Sequence, residues 1–102
     1  MTIAGLDPVI HAPVRLQICA ILSATDEAEF ALVREETGVS ESVLSKQVKL
    51  LEEAGYVRVR KATLASRQRT WLALTAAGRD AFAAHMRALT RLAAAAANGV
   101  AA

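Results

Sequence analysis

Hydrophobic residues recur at three- and four-residue spacing through most of the chain, a period that predicts helices. The helices predicted from this spacing span residues 14–22, 28–37 and 40–54, with a last one from residue 76 onward. Their apolar sides are Val14, Ile18, Ile21 and Leu22; Phe30, Ala31 and Val33; Val43, Leu44, Val48, Leu50 and Leu51; and Phe82, Met86, Leu89 and Leu92. Aromatic residues make up only 4% of the chain, so the core is thin and a partner subunit is expected to complete it.

Capping residues mark where the predicted helices begin and end. Asp7 and Pro8 form a helix-start signal that Pro13 interrupts, so one short turn is expected before the first main helix. The other expected starts are the hydroxyl residues Ser40 and Thr75, and the expected stops are Gly38 and Gly55.

Between Gly55 and Thr75 the hydrophobic period changes to two, which predicts strands. Residues 56–60 and 70–74 alternate, and residues 62–68 between them read as a loop. The inward positions are Val57, Val59, Leu72 and Leu74. The two strands therefore form a hairpin, and the helix after it is expected to carry Gly78 in its first turn and to fray over residues 93–102.

Two helices joined by a tight glycine turn and followed by a hairpin predict a helix-turn-helix with a wing. The fold class is mainly α with a small β-hairpin (α+β). We expect a single domain over residues 1–102. Its parts are a winged-helix core of about 6–79, a C-terminal dimerisation helix over 80–97, and a frayed tail over 98–102.

Charge is distributed unevenly along the chain, although the net charge is only +2. From Gly55 to Arg79 there are basic residues and no acid, whereas acids dominate from Met1 to Ser40. One segment therefore carries the positive field, as is typical of nucleic-acid binders. The single cysteine, the lack of an 18-residue apolar run and the lack of a signal-peptide pattern predict a cytoplasmic protein without a membrane segment.

The third predicted helix and the wing carry the candidate contact residues. A B-DNA major groove admits one helix, whose outward side has to present short polar and basic side chains. The candidates are Ser42, Ser45, Lys46 and Lys49 on the helix, and Lys61, Arg67 and Arg69 on the wing. Arginines near a hairpin tip can clamp phosphates or enter the minor groove.

Residues 35–57 resemble the helix-turn-helix of MarR- and ArsR-type winged-helix regulators, through the Leu-Leu-Glu of residues 50–52 and the Gly-Tyr-Val of residues 55–57. Residues 69–79 are similar to their wing strand and the Leu-Thr-x-x-Gly start of the next helix, and residues 6–15 resemble a short MarR-like subgroup. The resemblance implies a homodimer, a third helix in the major groove and wing contacts beside it. The Asp-x-Arg that such wings usually carry is absent here, so Arg69 is the only residue of this chain that corresponds to that motif.

The expected function is therefore sequence-specific binding of double-stranded DNA by a homodimeric transcriptional regulator. The recognition helix is about 40–54, the wing is about 61–69, and the operator is pseudo-palindromic. The expected dimer residues lie at the two ends of the chain and are Leu6, Ile10, Phe82, Met86, Leu89 and Leu92, with Ile3 and Val9 in the same N-terminal strip. The alternative is a winged-helix protein-interaction adaptor without specific DNA binding.

Other chemistry has weaker support in the sequence. No phosphate loop or nucleophile–base cluster indicates an enzyme, and no cofactor or metal site is expected, because ArsR-type sites need cysteine pairs or clustered His and Asp. Any effector is left open. Cys19 is a redox sensor or, as we favour, a buried free thiol. His11 and His85 form an intersubunit metal or pH-sensing site or, as we favour, a hydrogen bond between helices. Trp71 stacks on a base or, as we favour, packs on the hairpin or a neighbouring helix.

Overall fold

The computed structural model describes residues 5–99 and shows five helices and a three-stranded sheet in that range. The elements in chain order are α1 (Pro8–His11), α2 (Pro13–Ser23), β1 (Ala28–Glu29), α3 (Phe30–Thr37), α4 (Glu41–Glu53), β2 (Val57–Leu64), β3 (Arg67–Leu74) and α5 (Ala76–Ala97). The sheet is antiparallel throughout in the order β1-β3-β2. This arrangement confirms the predicted mainly α fold with a hairpin.

The predicted capping residues perform their expected roles. Asp7 Oδ1 accepts a hydrogen bond from the Val9 amide at 2.9 Å, and Thr75 Oγ1 accepts one from the Gly78 amide at 2.9 Å. Gly38 adopts φ +71°, in the left-handed region, and its amide donates a hydrogen bond to the carbonyl of Arg34, so α3 ends there. Local chemistry therefore sets most of the helix ends.

Predicted element boundaries were wrong at three places, of which the wing is described with the interface below. Ala28 and Glu29 were expected to open a helix but form strand β1, which pairs with Leu72 and Trp71 of β3. The exposed edge of β3 needs a partner, and this tertiary requirement overrides the local helix pattern. The alanine-rich segment expected to fray from residue 93 is helical to Ala97 because alanine has the highest helix propensity. Asn98 and Gly99 close that helix, and the remaining predicted tail at 100–102 lies outside the described residues.

The core lies where α2, α3 and α4 meet the inner face of the sheet. Its fully buried side chains are Ile10, Ile18, Cys19, Leu22, Val33, Leu44, Leu51 and Leu72. Gly78 packs so closely against the corner after α4 that an added Cβ would lie 2.1 Å from the carbonyl oxygen of Tyr56. This core holds α4 and the base of the hairpin in one rigid frame, and the far end of the hairpin projects from it.

No helix within residues 5–99 combines the length and the apolar character that crossing a membrane requires.

Candidate nucleic-acid interface

Helix α4 is anchored on one side and open on the other. Leu44, Val48 and Leu51 are buried at helical spacing and hold it to α2 and the sheet. Gln47, on the flank, accepts a hydrogen bond from Arg15 of α2 at 2.7 Å. At its first turn the Ser40 hydroxyl accepts a hydrogen bond from the Val43 amide at 3.2 Å. The buried stripe and the bond from Arg15 therefore set the orientation of the open side, and the Ser40 cap fixes where the helix begins.

All four residues predicted to face outward on α4 are exposed. Ser42, Lys46 and Lys49 lie on the side opposite the buried stripe, and Ser45 turns towards the sheet. The open side thus presents two hydroxyls and two ammonium groups within about three turns of helix.

Val43 was assigned to the apolar side of α4, and the structure corrects this. Its side chain is 41% exposed, and Leu50, one heptad later, is 40% exposed. A helix packed on one layer buries a narrow stripe, and Val43 lies about 100° round the helix from Leu44. Val43 therefore belongs to the exposed N-terminal end of α4.

The wing is longer than predicted and ends in a tighter turn. Residues 62–68 were expected to form a loop, but β2 and β3 pair along their full length, from Val57 with Leu74 to Leu64 with Arg67. The turn consists of Ala65 and Ser66, with φ of +52° and +63°. Such a two-residue turn matches the twist of the strands and lets pairing continue to the tip.

A groove of about 570 Å³ separates α4 from the wing. Ser45 and Lys49 line one wall, and Lys61 and Thr70 of the hairpin line the other. Glu41 and Glu52 also border it, and its floor is formed by Phe30, Val48, Val59 and Leu72. Of the candidates, the fold therefore brings Ser45 and Lys49 of the helix and Lys61 of the wing to opposite sides of one groove, while Ser42, Lys46 and Arg69 lie outside it. Arg67 lies exposed beyond it, beside the tip.

Acidic residues from β1 and the segment before it pair with two arginines of the hairpin, one of which, Arg69, is a candidate contact residue. Arg69 Nη1 lies 3.0 Å and 3.2 Å from the two carboxylate oxygens of Glu29. Arg60 binds Glu27 with N–O distances of 2.6 Å and 3.0 Å, and its guanidinium lies 5.6 Å from the centre of the Trp71 ring. The hydrogen bond from Arg60 lowers the pKa of Glu27.

Residues 55–79 contain no acid, as the sequence shows, but these carboxylates from another part of the chain neutralise part of the positive charge of the hairpin. Thirty-three and forty residues separate these partners in sequence, so charge counting along the chain missed them. Arg79, counted in the same segment, donates to the carbonyls of Ser23 and Thr25 and ties α5 to the turn after α2. Trp71 packs on the sheet beneath Arg60, as the favoured interpretation predicted.

The expected dimer residues divide into three groups. Ile10 is fully buried in the core of its own subunit, which corrects its assignment to an exposed strip. Leu6, Val9, Phe82 and Leu89 are half-buried, and Met86 and Leu92 are 41% and 40% exposed. Ile3 lies outside the described residues. The exposed members all come from α5.

The cysteine and the two histidines also adopt defined roles. Cys19 is a buried free thiol, and burial, with the charge of Asp7 as the smaller cause, raises its pKa to about 11. His11 and His85 lie in one subunit with Nδ1 of His11 3.2 Å from Nε2 of His85, so the favoured bond between helices is present. In residues 5–99, no three His, Cys, Asp or Glu side chains are grouped so that they could hold a metal ion.

The chain is similar to several known proteins. Residues 14–93 match the family model of the winged helix DNA-binding domain. The uncharacterised protein MJ0432 of Methanocaldococcus jannaschii is 31% identical over 74 residues, which cover 72% of this chain and 80% of that protein.

Solved structures share the fold. The transcriptional regulator homologue of Pyrococcus horikoshii has a TM-score of 0.77 at 25% identity and covers 82% of this chain and 83% of its own. NadR, solved with 4-hydroxyphenylacetate, has a TM-score of 0.71 at 19% identity, covering 92% of this chain and 69% of its own. The chain therefore belongs to the winged helix DNA-binding domain family and has the fold of its transcriptional regulators.

Proposed function

We propose that this protein binds double-stranded DNA sequence-specifically, with α4 in the major groove and the wing on the adjacent backbone or minor groove. One observation carries the proposal. The side of α4 opposite its buried stripe is exposed and carries Ser42, Lys46 and Lys49, and Lys49, with the neighbouring Ser45, lies across one groove from Lys61 of the hairpin. A single approach to DNA thus engages both elements.

The two ends of this surface suit different parts of the duplex. Ser42, Val43 and Lys46 lie in the first half of α4, where recognition helices reach base edges. Hydroxyls and ammonium groups bind base acceptors, and an exposed valine suits the methyl group of thymine. Lys49 and Lys61 lie on opposite walls of the groove beside the wing, and their ammonium groups suit the phosphates of the adjacent backbone.

The proposal is tested by measuring DNA affinity against salt for matched charge variants. Each lost phosphate contact makes the slope of log K against log salt shallower by about 0.9. Lys49→Ala and Lys61→Ala should each do so, whereas Arg87→Ala, which removes an exposed charge from α5, should leave the slope unchanged. Equal slopes for all three variants would contradict the proposed surface.

The base-reading role of Val43 has a separate test. Thymines in a duplex selected from a random library are replaced one at a time by deoxyuridine, which lacks only the methyl group. Loss of one buried methyl contact weakens binding by about 0.8 kcal/mol, about fourfold. The wild-type chain should respond at one position, and Val43→Ala should not respond there. A wild-type response that persists in Val43→Ala would assign the methyl contact elsewhere.

The proposed assembly is a homodimer formed through α5. Gly78, His85 and Ala88 are buried at helical spacing on one side of this helix. The same stripe continues to Leu92, which is 40% exposed, because the subunit has nothing further to place over it. At 22 residues α5 is about 33 Å long, so its C-terminal half stands beyond the core. A second copy of this helix supplies the missing apolar cover.

Sedimentation of charge variants tests this dimer. Leu89→Glu and Leu92→Glu place carboxylates on the exposed stripe and should give monomers that bind DNA weakly. Ala94→Glu is the control, since two residues along a helix rotate the side chain by about 200°, to the opposite side. A wild-type monomer at micromolar concentration would rule out the dimer and the two-fold operator it implies.

A further inference from the structure

A continuous chain of hydrogen bonds ties the N-terminal segment to α5. The backbone amide of Asp7 donates to Nδ1 of His85 at 3.0 Å. Nε2 of His85 lies 3.2 Å from Nδ1 of His11, in α1. The Tyr56 hydroxyl donates to Oδ2 of Asp7 at 2.6 Å, so the corner after α4 joins the same network. Three parts of the fold thus meet at one fully buried histidine.

The hydrogen bond from the Asp7 amide to His85 determines where the protons of both imidazole rings lie. A backbone amide is only a donor, so Nδ1 of His85 carries a lone pair and the proton of the neutral ring is on Nε2. That proton points at His11, whose Nδ1 has to accept it. Both rings are therefore neutral and in the same tautomer, with the proton on Nε2.

A further proton has no place in this arrangement. On Nδ1 of His85 it would face the Asp7 amide, and on Nδ1 of His11 it would face the Nε2 proton of His85. Either position replaces a hydrogen bond by two opposed donors. Burial, and secondly the neighbouring His11, lower the pKa of His85, and the carboxylate of Asp7 acts in the opposite direction.

The charged and titratable groups around the network come from four elements. Asp7 and His11 face His85 from the N-terminal segment, and Tyr56 faces Asp7 from the corner after α4. From α2, Cys19 and Arg15 lie close to this network. The charges of Asp7 and Arg15 both act on the Cys19 thiol. From α5 itself, Arg91 lies against the N-terminal segment, where a Cβ on Gly5 would be 3.0 Å from its guanidinium.

We infer that the His11–His85 pair is a proton-sensitive latch, which holds α1 and the segment before it on α5 at neutral pH and releases them in mild acid. Release uncovers Ile10, which is otherwise fully buried, and removes the cover of α5 around His85. The latch needs no DNA and no second subunit. Its effect on dimerisation and DNA binding rests on the proposed function, in which the dimer forms along the same helix.

The pH window follows from the lowered pKa of His85. A group whose pKa is lower in the folded than in the unfolded chain stabilises the fold fully above the unfolded pKa, about 6.5, and loses that contribution as the pH falls towards the folded pKa. The lowered pKa of Glu27 acts only below the ordinary range of a carboxyl, and the raised pKa of Tyr56 acts only above neutrality. His85 therefore dominates the change in stability between pH 7.5 and 5.5.

Urea unfolding at pH 7.5 and 5.5 tests the latch against a variant without histidine. The chain has two histidines, so His11→Gln with His85→Gln leaves none, while each glutamine retains one donor and one acceptor. The folding constant of the wild-type chain should fall by about three- to tenfold more than that of the double variant, since one extra proton bound on unfolding is worth up to about tenfold per pH unit. Equal pH dependence overturns the inference.

Two measurements keep the test decisive if the double variant folds poorly. His11→Gln changes an exposed ring and should itself reduce the pH dependence. Histidine ¹⁵N spectra of the wild-type chain at pH 7.5 should show Nδ1 unprotonated and Nε2 protonated in both rings, and amides of residues 5–11 should exchange faster at pH 5.5 after correction for intrinsic rates. A protonated Nδ1 on His85, or unchanged protection, overturns the latch, and neither result bears on DNA binding.

Discussion

Replacing Glu29 by glutamine should tighten DNA binding. In the structure Glu29 holds Arg69 through contacts of 3.0 Å and 3.2 Å from one guanidinium nitrogen to the two carboxylate oxygens. Their side chains are 26% and 35% exposed, so the pair is partly open to solvent. Arg69 has to leave this pair before it can meet a phosphate, and the free energy of the pair therefore opposes binding.

The size of the effect follows from the exposure of the pair. Ion pairs of this kind contribute about 0.2–1 kcal/mol. In the proposed homodimer, two subunits double the value to about 0.4–2 kcal/mol, which corresponds to about two- to thirtyfold tighter binding. Each Arg69 that gains a phosphate also makes the salt slope more negative by about 0.9.

Fluorescence anisotropy with a labelled duplex at four salt concentrations measures both quantities. Asp80→Asn removes one exposed acid from α5 and controls for the change in net charge. In the Glu29→Gln background, Arg69→Ala should return the slope to its wild-type value and abolish the gain in affinity. If Glu29→Gln behaves like Asp80→Asn, or tightens binding without Arg69, then the ion pair does not restrain a DNA contact.

Three further predictions concern the frame that holds this surface. Gly78→Ala should destabilise the fold by about 1–3 kcal/mol or more in urea unfolding, because the new Cβ would lie 2.1 Å from the carbonyl oxygen of Tyr56. That carbonyl already accepts a hydrogen bond from the Thr75 amide. A stability equal to that of the wild-type chain would show that this corner can move. Leu51→Ala should lower the free energy of unfolding by about 2–5 kcal/mol, because Leu51 is fully buried. Leu50→Ala should lower it much less, because Leu50 is 40% exposed, and equal losses would contradict the packing of α4. Cys19 should react with a thiol reagent only as fast as the chain unfolds, since its thiol is buried and its pKa is raised to about 11; rapid labelling of the folded chain would contradict this.

Local chemistry made most of the helices predictable. Asp7, Ser40 and Thr75 cap helices because their side chains satisfy amides two or three residues away, and Gly38 ends one because it tolerates a positive φ. These effects need no knowledge of the rest of the chain. The exposed stripe of α4 was predictable for the same reason, since helical spacing alone separates Lys46 from Leu44.

Features that depend on distant residues were missed. Strand β1 exists because β3 has an open edge, and the pairing of Arg69 with Glu29 requires that strand. Val43 was misassigned because the sequence shows that it is apolar but not how wide a stripe the packing of α4 buries. Ile10 was placed at a dimer surface because the sequence does not show that its own subunit covers it.

The central claim is that the exposed side of α4 reads the bases of double-stranded DNA. It is tested most directly by competition between a duplex selected from a random library and a scrambled duplex of the same composition, at physiological salt. We expect the wild-type chain to bind the selected duplex at least about 10³-fold more tightly than the scrambled one. Lys46→Ala should reduce this ratio and relax the preference at particular base positions of the selected duplex. Equal affinity for the two duplexes would contradict it.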